Sequence, residues 1–429
     1  MIRTLKKIVP RPLIKLYHLV AAVLALIHYR NPSRDMVVIG ITGTDGKTTT
    51  SYMVYEILKA AGKAVSLVTS VGVIYHGREG TEATGLHATT PAPFEIQGIL
   101  AEAKASGTEF MVLETTSHGL DQFRVFGIDY TIGAVTNITH EHLDYHRTWD
   151  AYMRAKAKLL RGVEASIINR DDEAFEPLRQ RAEGELITYG VQHPAELTAS
   201  SIQLSPQGIT FEVSGMSKPV TMQLLGEYNV YNALAAIAIA QHLRIPDEAI
   251  YAGLGALQPP PGRLERVDMG QDFTVFVDFA HTSNSLDTML RELSRVKGDG
   301  RVIVVFGCAG ERDPFKRFPM GASAGRYADL TVITAEDPRS EDLNAIMEQI
   351  AEGVESEGGV RDETYFLIGD RRQAIHTAIC ELAQPGDIVV TTGKAHEQSM
   401  NYDGLVETPW DEFEAVRSAL RARATPVGG

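Results

Sequence analysis

The chain has 429 residues, of which 44% are hydrophobic and 22% are charged, a length and composition that predict two or three folded domains and exclude a disordered protein. The net charge of −14 argues against nucleic acid as a partner, because phosphate backbones repel an acidic surface. The two cysteines, Cys308 and Cys380, supply neither a disulfide framework nor a zinc site, so we expect a reducing, cytoplasmic environment.

Residues 1–34 differ in composition from the rest of the chain. They contain seven basic residues and no acidic residue, and thirteen of the fifteen residues from Leu13 to Ile27 are apolar. This run is shorter than the ~20 apolar residues that span a bilayer, and no small-residue cleavage site of a signal peptide follows it. We therefore predict an N-terminal helix that either packs on its own domain or lies on the inner face of the membrane.

After residue 35, short apolar runs rich in β-branched residues alternate with helical segments. The first run, Met36–Thr42, ends in a glycine loop, and a helical pattern follows it from Thr48. This alternation predicts a doubly wound parallel sheet, in a first α/β domain over residues 35–260. Further strands are predicted in this domain at Phe110–Glu114, Ile132–Thr136 and Ser166–Asn169.

The segment Pro259-Pro260-Pro261-Gly262 is the strongest interruption of this pattern, because proline and glycine end regular structure. The alternation of strands and helices then resumes. We therefore predict a second, Rossmann-like α/β domain over residues 261–429. Its strands are predicted at Val275–Asp278, Val302–Phe306, Leu330–Thr334 and Ile388–Thr392.

The loop after the first strand has the features of a phosphate-binding loop. Glycines let backbone N–H groups approach phosphate oxygens, and the start of a helix favours anions. Lys47 is placed to reach the β- and γ-phosphates of ATP, and the hydroxyl of Thr48 or Thr49 to bind Mg²⁺. The full Walker spacing requires a glycine where Ile41 stands, so the loop is a shortened form. The residues predicted to contact ATP are Gly43, Thr44, Asp45, Gly46, Lys47, Thr48 and Thr49.

Two further strand ends carry groups suited to a metal ion. Glu114 ends one predicted strand, and Thr136 and Asn137 end the next. Open α/β sheets bind ligands at the carboxyl ends of their strands, and a hard cation that bridges phosphates takes oxygen ligands and tolerates histidine. We therefore predict a Mg²⁺ site beside the phosphate loop. Ionisable residues that follow the second strand are His140, Glu141, His142, Asp144 and His146.

Together these segments resemble the Mur ligase family. The phosphate loop is similar to the family's Thr-Gly-Thr-Asn-Gly-Lys-Thr, with Asp45 in place of the asparagine. Glu-x-x-Ser-His, followed by Thr-Asn-x-x-x-x-His-Leu-Asp-Tyr-His, is similar to the MurE-type ligases, the UDP-N-acetylmuramoyl-tripeptide synthetases. The resemblance covers about residues 36–400. It implies a central P-loop ATPase domain and a C-terminal domain that together form an amide bond in peptidoglycan biosynthesis, through an acyl phosphate.

The resemblance also implies roles for individual residues. Thr48, Glu114 and His142 would hold two Mg²⁺ ions together with Lys156, which matches the family lysine that carries a carbamate. Lys47, Lys156, His281 and Arg312 would act in catalysis. The further residues implied to bind ATP are Asn229, Asn232, Arg263 and Asp278. Those implied to bind the muramoyl-peptide acceptor are Thr89, Thr90, Ser117, Gln122 and Arg124.

Two motifs bear on the amino acid that is added. Glu336-Asp337-Pro338-Arg339 stands where diaminopimelate-adding members have Asp-Asn-Pro-Arg, and Gly393–Glu397 stands where they have Gly-Lys-Gly-His-Glu. Arg339 could bind a carboxylate through two parallel hydrogen bonds, while Glu397 could bind an ammonium. Asp337 and Gly393 complete the implied site. The pattern favours meso-diaminopimelate, although the acidity of Glu336 and Asp337 leaves L-lysine open.

The N-terminus departs from the MurE pattern. Family members carry an additional domain that holds uridine diphosphate, and because the phosphate loop begins at residue 43 we expect no such domain ahead of it. We therefore expect residues 1–34 to dock the protein on a membrane, where a lipid-linked acceptor could replace the soluble nucleotide. The alternatives are a folylpolyglutamate-synthase-like ligase and a membrane-associated P-loop regulatory ATPase, which would hydrolyse ATP without an acceptor.

Overall fold

The structure is a computed structural model, and it describes residues 11–78, 90–139, 143–205, 208–258, 262 and 264–424. The chain divides into two compact units, the first ending at Gln258 and the second comprising most of the remainder. Each unit is built around its own sheet, and each is described separately below.

Ten strands form one sheet in the first unit. They are β1 (Val37–Thr42), β2 (Val65–Val68), β3 (Val73–Ile74), β4 (Phe110–Glu114), β5 (Ile132–Val135), β6 (Ala165–Asn169), β7 (Glu185–Gly190), β8 (Leu197–Ser205), β9 (Gly208–Val213) and β10 (Val220–Met222). Their order is β10-β9-β8-β7-β6-β5-β1-β4-β2-β3. The strands from β2 through β1 to β8 pair in parallel, whereas β3 and β10 pair antiparallel at the two edges. The predicted doubly wound parallel sheet is therefore confirmed.

Helices pack around this sheet and against one another. They are α1 (Arg11–Tyr29), α2 (Lys47–Ala60), α3 (Pro93–Ala105), α4 (Ser117–Asp121), α5 (Leu143–His146), α6 (Trp149–Ala157), α7 (Phe175–Arg179), α8 (Tyr228–His242) and α9 (Asp247–Ala256). The helix that begins at the phosphate loop, α2, packs against α8 and α9, while α4 packs against α6. β1, β4, β5 and β6 are almost entirely buried, which explains why they appear in the sequence as continuous apolar runs.

The N-terminal helix α1 lies on the first unit, where it packs against α3. Lys15 Nζ donates a hydrogen bond to Asp121 at 2.8 Å, and beyond the helix Asn31 Nδ2 donates one to Asp129 at 3.0 Å. Among the residues that the structure describes, no helix is long and apolar enough to cross a bilayer. The sequence predicts a helix that packs on its own domain or lies on the membrane. The structure shows that one face of α1 packs on the first unit.

The second unit has a six-stranded sheet that is parallel apart from one edge strand. Its strands are β11 (Glu265–Arg266), β12 (Thr274–Asp278), β13 (Val302–Phe306), β14 (Leu330–Ile333), β15 (Tyr365–Leu367) and β16 (Ile388–Thr392), in the order β11-β12-β16-β13-β14-β15. Its helices are α10 (Ser283–Val296), α11 (Arg317–Tyr327), α12 (Leu343–Ser356), α13 (Arg371–His376) and α14 (Glu412–Ala424). A short hairpin of β17 (Ser399–Asn401) and β18 (Glu407–Pro409) precedes α14. The predicted Rossmann-like α/β fold is confirmed.

Candidate active site

The phosphate loop joins β1 to α2, and its two glycines allow neighbouring segments to approach closely. A Cβ atom on Gly43 would lie 1.8 Å from Thr136 Oγ1, and one on Gly46 would lie 2.2 Å from Asn232 Oδ1. Gly46 also has a φ of +80°, which side chains rarely adopt. The loop conformation therefore depends on glycine at both positions.

The end of β5 fixes the loop through its backbone. Asp45 N donates to Asn137 Oδ1 at 2.9 Å, and Thr136 Oγ1 donates to Asp45 O at 2.6 Å. Thr44 N donates to Asn137 O at 2.8 Å. Because these contacts use the backbone of Thr44 and Asp45, they do not depend on the Asp45 side chain, and the change from asparagine leaves them intact.

A hydroxyl and a carboxylate meet at the start of α2, where Thr48 of this helix contacts Glu114 at the end of β4. Thr48 Oγ1 donates to Glu114 Oε2 at 2.9 Å, and Ser70 N donates to the same oxygen at 3.1 Å. Both Thr48 and Glu114 are buried, and Lys47 Nζ, half-buried, donates to Thr44 O at 2.6 Å. A hydroxyl and a carboxylate beside a phosphate loop are the donors that Mg²⁺ takes, so these residues fit that ion.

Lys156 lies under the same loop, although its spacing in the sequence, taken alone, favours an exposed helix lysine. Its side chain is 1% exposed, and its Nζ donates to Gly43 O at 2.5 Å. The Nζ also lies 4.5 Å from the centre of the Tyr152 ring, and the Tyr152 hydroxyl is 3.1 Å from Thr44 Oγ1. Helix α6 thus places a lysine and a tyrosine against the phosphate loop, although the two segments are more than 100 residues apart in the sequence.

Three predicted site residues, Thr89, His142 and Arg263, lie outside the described residues. Within the described part of the chain, no group of three or more His, Cys, Asp or Glu side chains is placed to hold a metal ion. The structure therefore brings Lys47, Glu114 and Lys156 to the phosphate loop, and the roles of all three stay predictions.

The two asparagines of α8 are joined by a hydrogen bond, and one of them also contacts α2. Asn232 Nδ2 donates to Asn229 Oδ1 at 2.9 Å, and Thr50 Oγ1 donates to Asn232 Oδ1 at 3.3 Å. Asn229 Nδ2 in turn donates to Leu225 O at 2.7 Å. Both asparagines are buried, and Asn232 also lies beside Gly46 of the phosphate loop, so the structure places these two predicted ATP contacts next to each other.

A polar cluster follows β4 directly. Thr116 N donates to Thr90 Oγ1 at 2.9 Å, while Arg124 donates to Thr90 O at 2.9 Å and to Gln122 Oε1 at 2.7 Å. His146 Nε2 is 3.1 Å from Ser117 Oγ. The Gln122 side chain donates to the hydroxyl of Tyr145 at 3.3 Å. We call this set the acceptor cluster, and its members are Thr90, Ser117, Gln122, Arg124, Tyr145 and His146.

Tyr145 and Asp121 received no role from the sequence, and His146 was named only among the ionisable residues that follow the second strand end. The Tyr145 hydroxyl donates to Asp121 Oδ2 at 3.0 Å. Burial opposes ionisation of Asp121, but its contacts with Lys15, Lys158 and Tyr145 outweigh burial and lower its pKa to about 2. This carboxylate therefore stays charged and connects α1 to the acceptor cluster.

In the second unit, the motif loops follow β12, β16, β13 and β14, which are adjacent in the sheet. The buried Asp278 carboxylate accepts hydrogen bonds from Leu264 N and Ala280 N, both at 2.7 Å. His281 Nδ1 lies 3.0 Å from Phe279 O, whereas Arg312 is exposed. Asp278 therefore organises the loop that presents His281, which is compatible with its predicted place near a nucleotide.

Two of the residues predicted to bind the incoming amino acid, Asp337 and Glu397, contact Lys394, which is 1% exposed. Lys394 Nζ lies 3.0 Å from Asp337 Oδ1 and 2.6 Å from Glu397 Oε2. Asp337 has a φ of +97°, a conformation that asparagine and aspartate tolerate better than most residues. Arg339 Nη1 donates to Gly310 O at 3.0 Å. These loops therefore form one charged site.

Glu336 lies beside this site, and its environment reduces its charge. A Cβ on Gly393, whose φ is +102°, would lie 2.8 Å from Glu336 Oε2, so glycine is required there. Burial raises the pKa of Glu336 to about 7, although Lys316, Arg371 and Lys394 oppose the rise. The acidity that the sequence indicates at this site is therefore weaker in the folded protein.

The fold and site define a P-loop enzyme that uses a nucleoside triphosphate, with a second α/β domain. Two family models match the chain, the Mur ligase middle domain over residues 41–240 and the Mur ligase glutamate ligase domain over residues 262–395. A UDP-N-acetylmuramoyl-L-alanyl-D-glutamate--2,6-diaminopimelate ligase from Syntrophomonas wolfei is 38% identical over 410 residues, covering 94% of this chain and 82% of that protein. A UDP-N-acetylmuramyl-tripeptide synthetase from Roseiflexus is 38% identical over 418 residues, covering 93% and 81%.

The chain belongs to the Mur ligase family, and it is an ATP-dependent, amide-bond-forming ligase. Members of this family generally use Mg²⁺. A solved UDP-N-acetylmuramoyl-L-alanyl-D-glutamate--2,6-diaminopimelate ligase superposes with a TM-score of 0.65 at 31% identity, covering 91% of this chain and 79% of that one. The Mycobacterium tuberculosis folylpolyglutamate synthase, with a TM-score of 0.70 at 19% identity and coverage of 87% and 92%, shares the fold alone.

Gly46→Ala is expected to weaken ATP binding at least about tenfold, equivalent to about 1.4 kcal/mol, because the new Cβ would collide with Asn232. Gly62→Ala is the matched control, since Gly62 has a φ of +70° and no atom within 4 Å of its Cβ position. Both variants should lose about 1 kcal/mol of stability from backbone strain. Titration with a fluorescent ATP analogue checks the difference, and equal affinities in the two variants would contradict it.

Proposed function

We propose that this chain adds a diamino acid to a muramoyl-L-alanyl-D-glutamate peptide. One observation carries the proposal: in the first unit, the phosphate loop, the Thr48–Glu114 pair and the acceptor cluster are contiguous, because Thr116 and Ser117 follow Glu114 at the end of β4. An acceptor carboxylate bound by this cluster would lie beside the phosphates of ATP. Relatives that are 38% identical carry names for this reaction.

The reaction proceeds in two steps under this proposal. The acceptor carboxylate attacks the γ-phosphate of ATP to give an acyl phosphate and ADP, while Lys47 and the backbone N–H groups of the loop stabilise the transferred phosphoryl group. The amine of the incoming amino acid then attacks the acyl carbon, and phosphate leaves with loss of a proton from nitrogen. Arg124 and Gln122 would orient the acceptor, and the loops around Lys394 would orient the amine.

Two Mg²⁺ ions are proposed, held by Thr48 and by Glu114, His142 and Lys156. When bound, they supply positive charge that neutralises the phosphates. Lys156 would contribute as a carbamate, which forms when a neutral lysine amine adds CO₂ with loss of a proton. The contact of Lys156 Nζ with Gly43 O, at 2.5 Å, supports a position for that anion next to the phosphate loop.

We propose meso-diaminopimelate as the added amino acid, in preference to L-lysine. The negative charge that would favour a simple amine is reduced, because Asp337 and Glu397 share Lys394 and the pKa of Glu336 is raised to about 7. Diaminopimelate presents a carboxylate as well as an ammonium at its far end. Arg339 is the side chain proposed to bind that carboxylate.

Arg339→Ala is expected to lower kcat/KM for diaminopimelate about 100-fold, corresponding to about 2.7 kcal/mol, and to change that for lysine much less. The reason is that Arg339 would bind the second carboxylate of diaminopimelate, and lysine has no second carboxylate. Arg361→Ala, which removes an exposed arginine paired with Glu348 in the same unit, should leave both values unchanged. The product assay is mass spectrometry of the acceptor peptide after incubation with ATP and each amino acid.

The same assay tests the proposed function as a whole. We expect an acceptor mass increased by one diaminopimelate residue, with one ATP converted to ADP and phosphate for each amide formed. Phosphate release that does not depend on acceptor and amino acid would indicate a regulatory ATPase instead. A preference for lysine would contradict the proposed specificity while leaving the ligase reaction intact.

We also propose that the protein acts in the cytoplasm, with peripheral contact to the inner membrane face through residues 1–34. The basic composition of this segment supports the contact, since anionic headgroups attract lysine and arginine. The surface that would make it is described next.

A further inference from the structure

Helix α1 has apolar residues on two faces, and only one of them is covered. Ala22 and Ala25 are buried on the inner face. On the same face, the Leu26 side chain lies beside Gly127, and the Tyr29 hydroxyl lies beside Gly98. A Cβ on Gly127 would clash with Leu26 at 2.1 Å, and a Cβ on Gly98 would lie in tight contact with the Tyr29 hydroxyl at 3.1 Å. Helix α1 is therefore closely packed on the first unit.

The outer face of α1 is an exposed apolar stripe. Its members recur every three or four residues and therefore share one side of the helix. The most exposed are Ile27, at 70%, and Tyr17, at 69%. We call this set the α1 stripe, and its members are Leu13, Leu16, Tyr17, Val20, Val23, Leu24 and Ile27.

The α1 stripe is unusual within the protein. It contains seven of the sixteen large hydrophobic side chains that are exposed among the described residues, although α1 has only 19 residues. Phe94, which is also exposed, lies with its ring 6.3 Å from His28 and adds to the apolar surface near the end of the helix. Contiguous apolar patches on a protein surface mark sites of interaction.

The charge of the segment indicates what covers the stripe. Residues 1–34 carry seven basic residues and no acidic residue. Of these, Lys15 and Arg34 pair with Asp121 and Asp129. A second copy of the chain would bring together two segments of like net charge, which is unfavourable. An anionic lipid surface combines apolar chains with negative headgroups and matches both properties of the segment.

We propose that the α1 stripe docks on an anionic phospholipid bilayer, with the helix lying along the membrane surface. The orientation follows from the packed inner face, because α1 is held on the first unit from Lys15 to Tyr29 and cannot enter the bilayer end-on without leaving it. The helix inserts its outer side chains at the boundary between headgroups and acyl chains.

The docked helix also has a consequence for the acceptor, and this part rests on the proposed function. Lys15 of α1 pairs with Asp121, which accepts a hydrogen bond from Tyr145 of the acceptor cluster. Attachment through α1 therefore holds the acceptor cluster near the bilayer, where an acceptor peptide carried on a lipid would be presented. With a lipid-linked acceptor in vesicles, the unsubstituted chain should form the amide faster than a variant that does not dock on the vesicles.

The test is flotation of the full chain with lipid vesicles. Vesicles of phosphatidylglycerol and phosphatidylcholine should bind the protein at least tenfold more strongly than vesicles of phosphatidylcholine alone. Leu16→Glu combined with Leu24→Glu should reduce binding at least tenfold, because both side chains lie in the stripe. Val360→Glu combined with Leu405→Glu changes two exposed apolar residues of the second unit and should bind as the unsubstituted chain does.

Thermal unfolding shows whether the variants fold, and all should match the unsubstituted chain because the substituted side chains are exposed. Turnover of a soluble acceptor should be equal in all of them. Absence of binding to anionic vesicles would overturn the proposal, as would a dimer that Leu16→Glu dissociates without any effect on vesicle binding. Because flotation requires neither ATP nor acceptor, failure of the proposed ligase function would be seen separately.

Discussion

Lys156→Ala is expected to lower the rate of amide formation by about 10²- to 10³-fold, the loss typical when a preorganised electrostatic contact to a transferring group is removed. The reason is the position of the amine, which is 1% exposed and contacts the backbone of the phosphate loop at Gly43. Arg154→Ala is the matched control on the same helix, because Arg154 is exposed and pairs only with neighbouring Asp150 among the ion pairs described. It should retain activity within about twofold, since exposed pairs contribute little.

The same variant distinguishes two forms of Lys156. If the lysine acts as an anionic carbamate, the activity of Lys156→Ala should rise on addition of formate or acetate, small carboxylates that fit the vacated volume. The unsubstituted enzyme should then also lose activity when bicarbonate and CO₂ are removed. If the lysine acts as a cation, methylammonium should restore activity and carboxylates should not. Full activity in Lys156→Ala without any additive would remove Lys156 from the mechanism.

Glu412→Gln is expected to destabilise the second unit by about 3–5 kcal/mol, because it leaves the Arg371 guanidinium buried without its charged partner. Arg371 and Glu412 are both fully buried, and their side chains form two hydrogen bonds, at 2.9 and 2.7 Å. Glu414→Gln, two residues away on the same helix, removes an exposed partner of Arg421 and should change stability by less than about 1 kcal/mol.

Urea denaturation followed by tryptophan fluorescence measures this difference within the second unit. The chain has two tryptophans; Trp149 lies in the first unit, and Trp410 Nε1 donates to Glu412 at 2.8 Å. A Trp149→Phe background therefore leaves a single probe beside the ion pair. Equal transition midpoints for Glu412→Gln and Glu414→Gln would contradict the prediction.

The same ion pair gives a pH dependence. Burial opposes ionisation of Glu412, but the charge of Arg371 outweighs it and holds the pKa of this carboxyl below its usual range. A carboxyl with a lowered folded-state pKa stabilises the fold above its unfolded-state value, about 4.3, and that contribution is lost as the pH falls through the folded-state value. In Glu412→Gln, the stability of the second unit should therefore depend less on pH in the acid range.

Much of the fold follows from the sequence because parallel strands buried on both faces are short apolar runs. Val302–Phe306 and Ile388–Thr392 were predicted with the bounds that the structure has. The strands from β7 to β10 were not predicted, because outward-facing polar residues interrupt their apolar pattern; β8, for example, is only partly buried. The acceptor cluster was predicted in part, through Thr90, Ser117, Gln122 and Arg124, whereas Tyr145 and Asp121 emerged from hydrogen bonds between separate segments.

By itself, the sequence determined the phosphate loop, the two α/β domains and the membership in the Mur ligase family, because these depend on local patterns of glycine, apolar and charged residues. Only the tertiary structure decided that Lys156 is buried under Gly43, that Lys394 is shared by Asp337 and Glu397, and that one face of α1 is covered while the other is exposed. The physical reason is that burial and ion pairing are set by residues distant in the chain, and a linear pattern does not specify which of them meet.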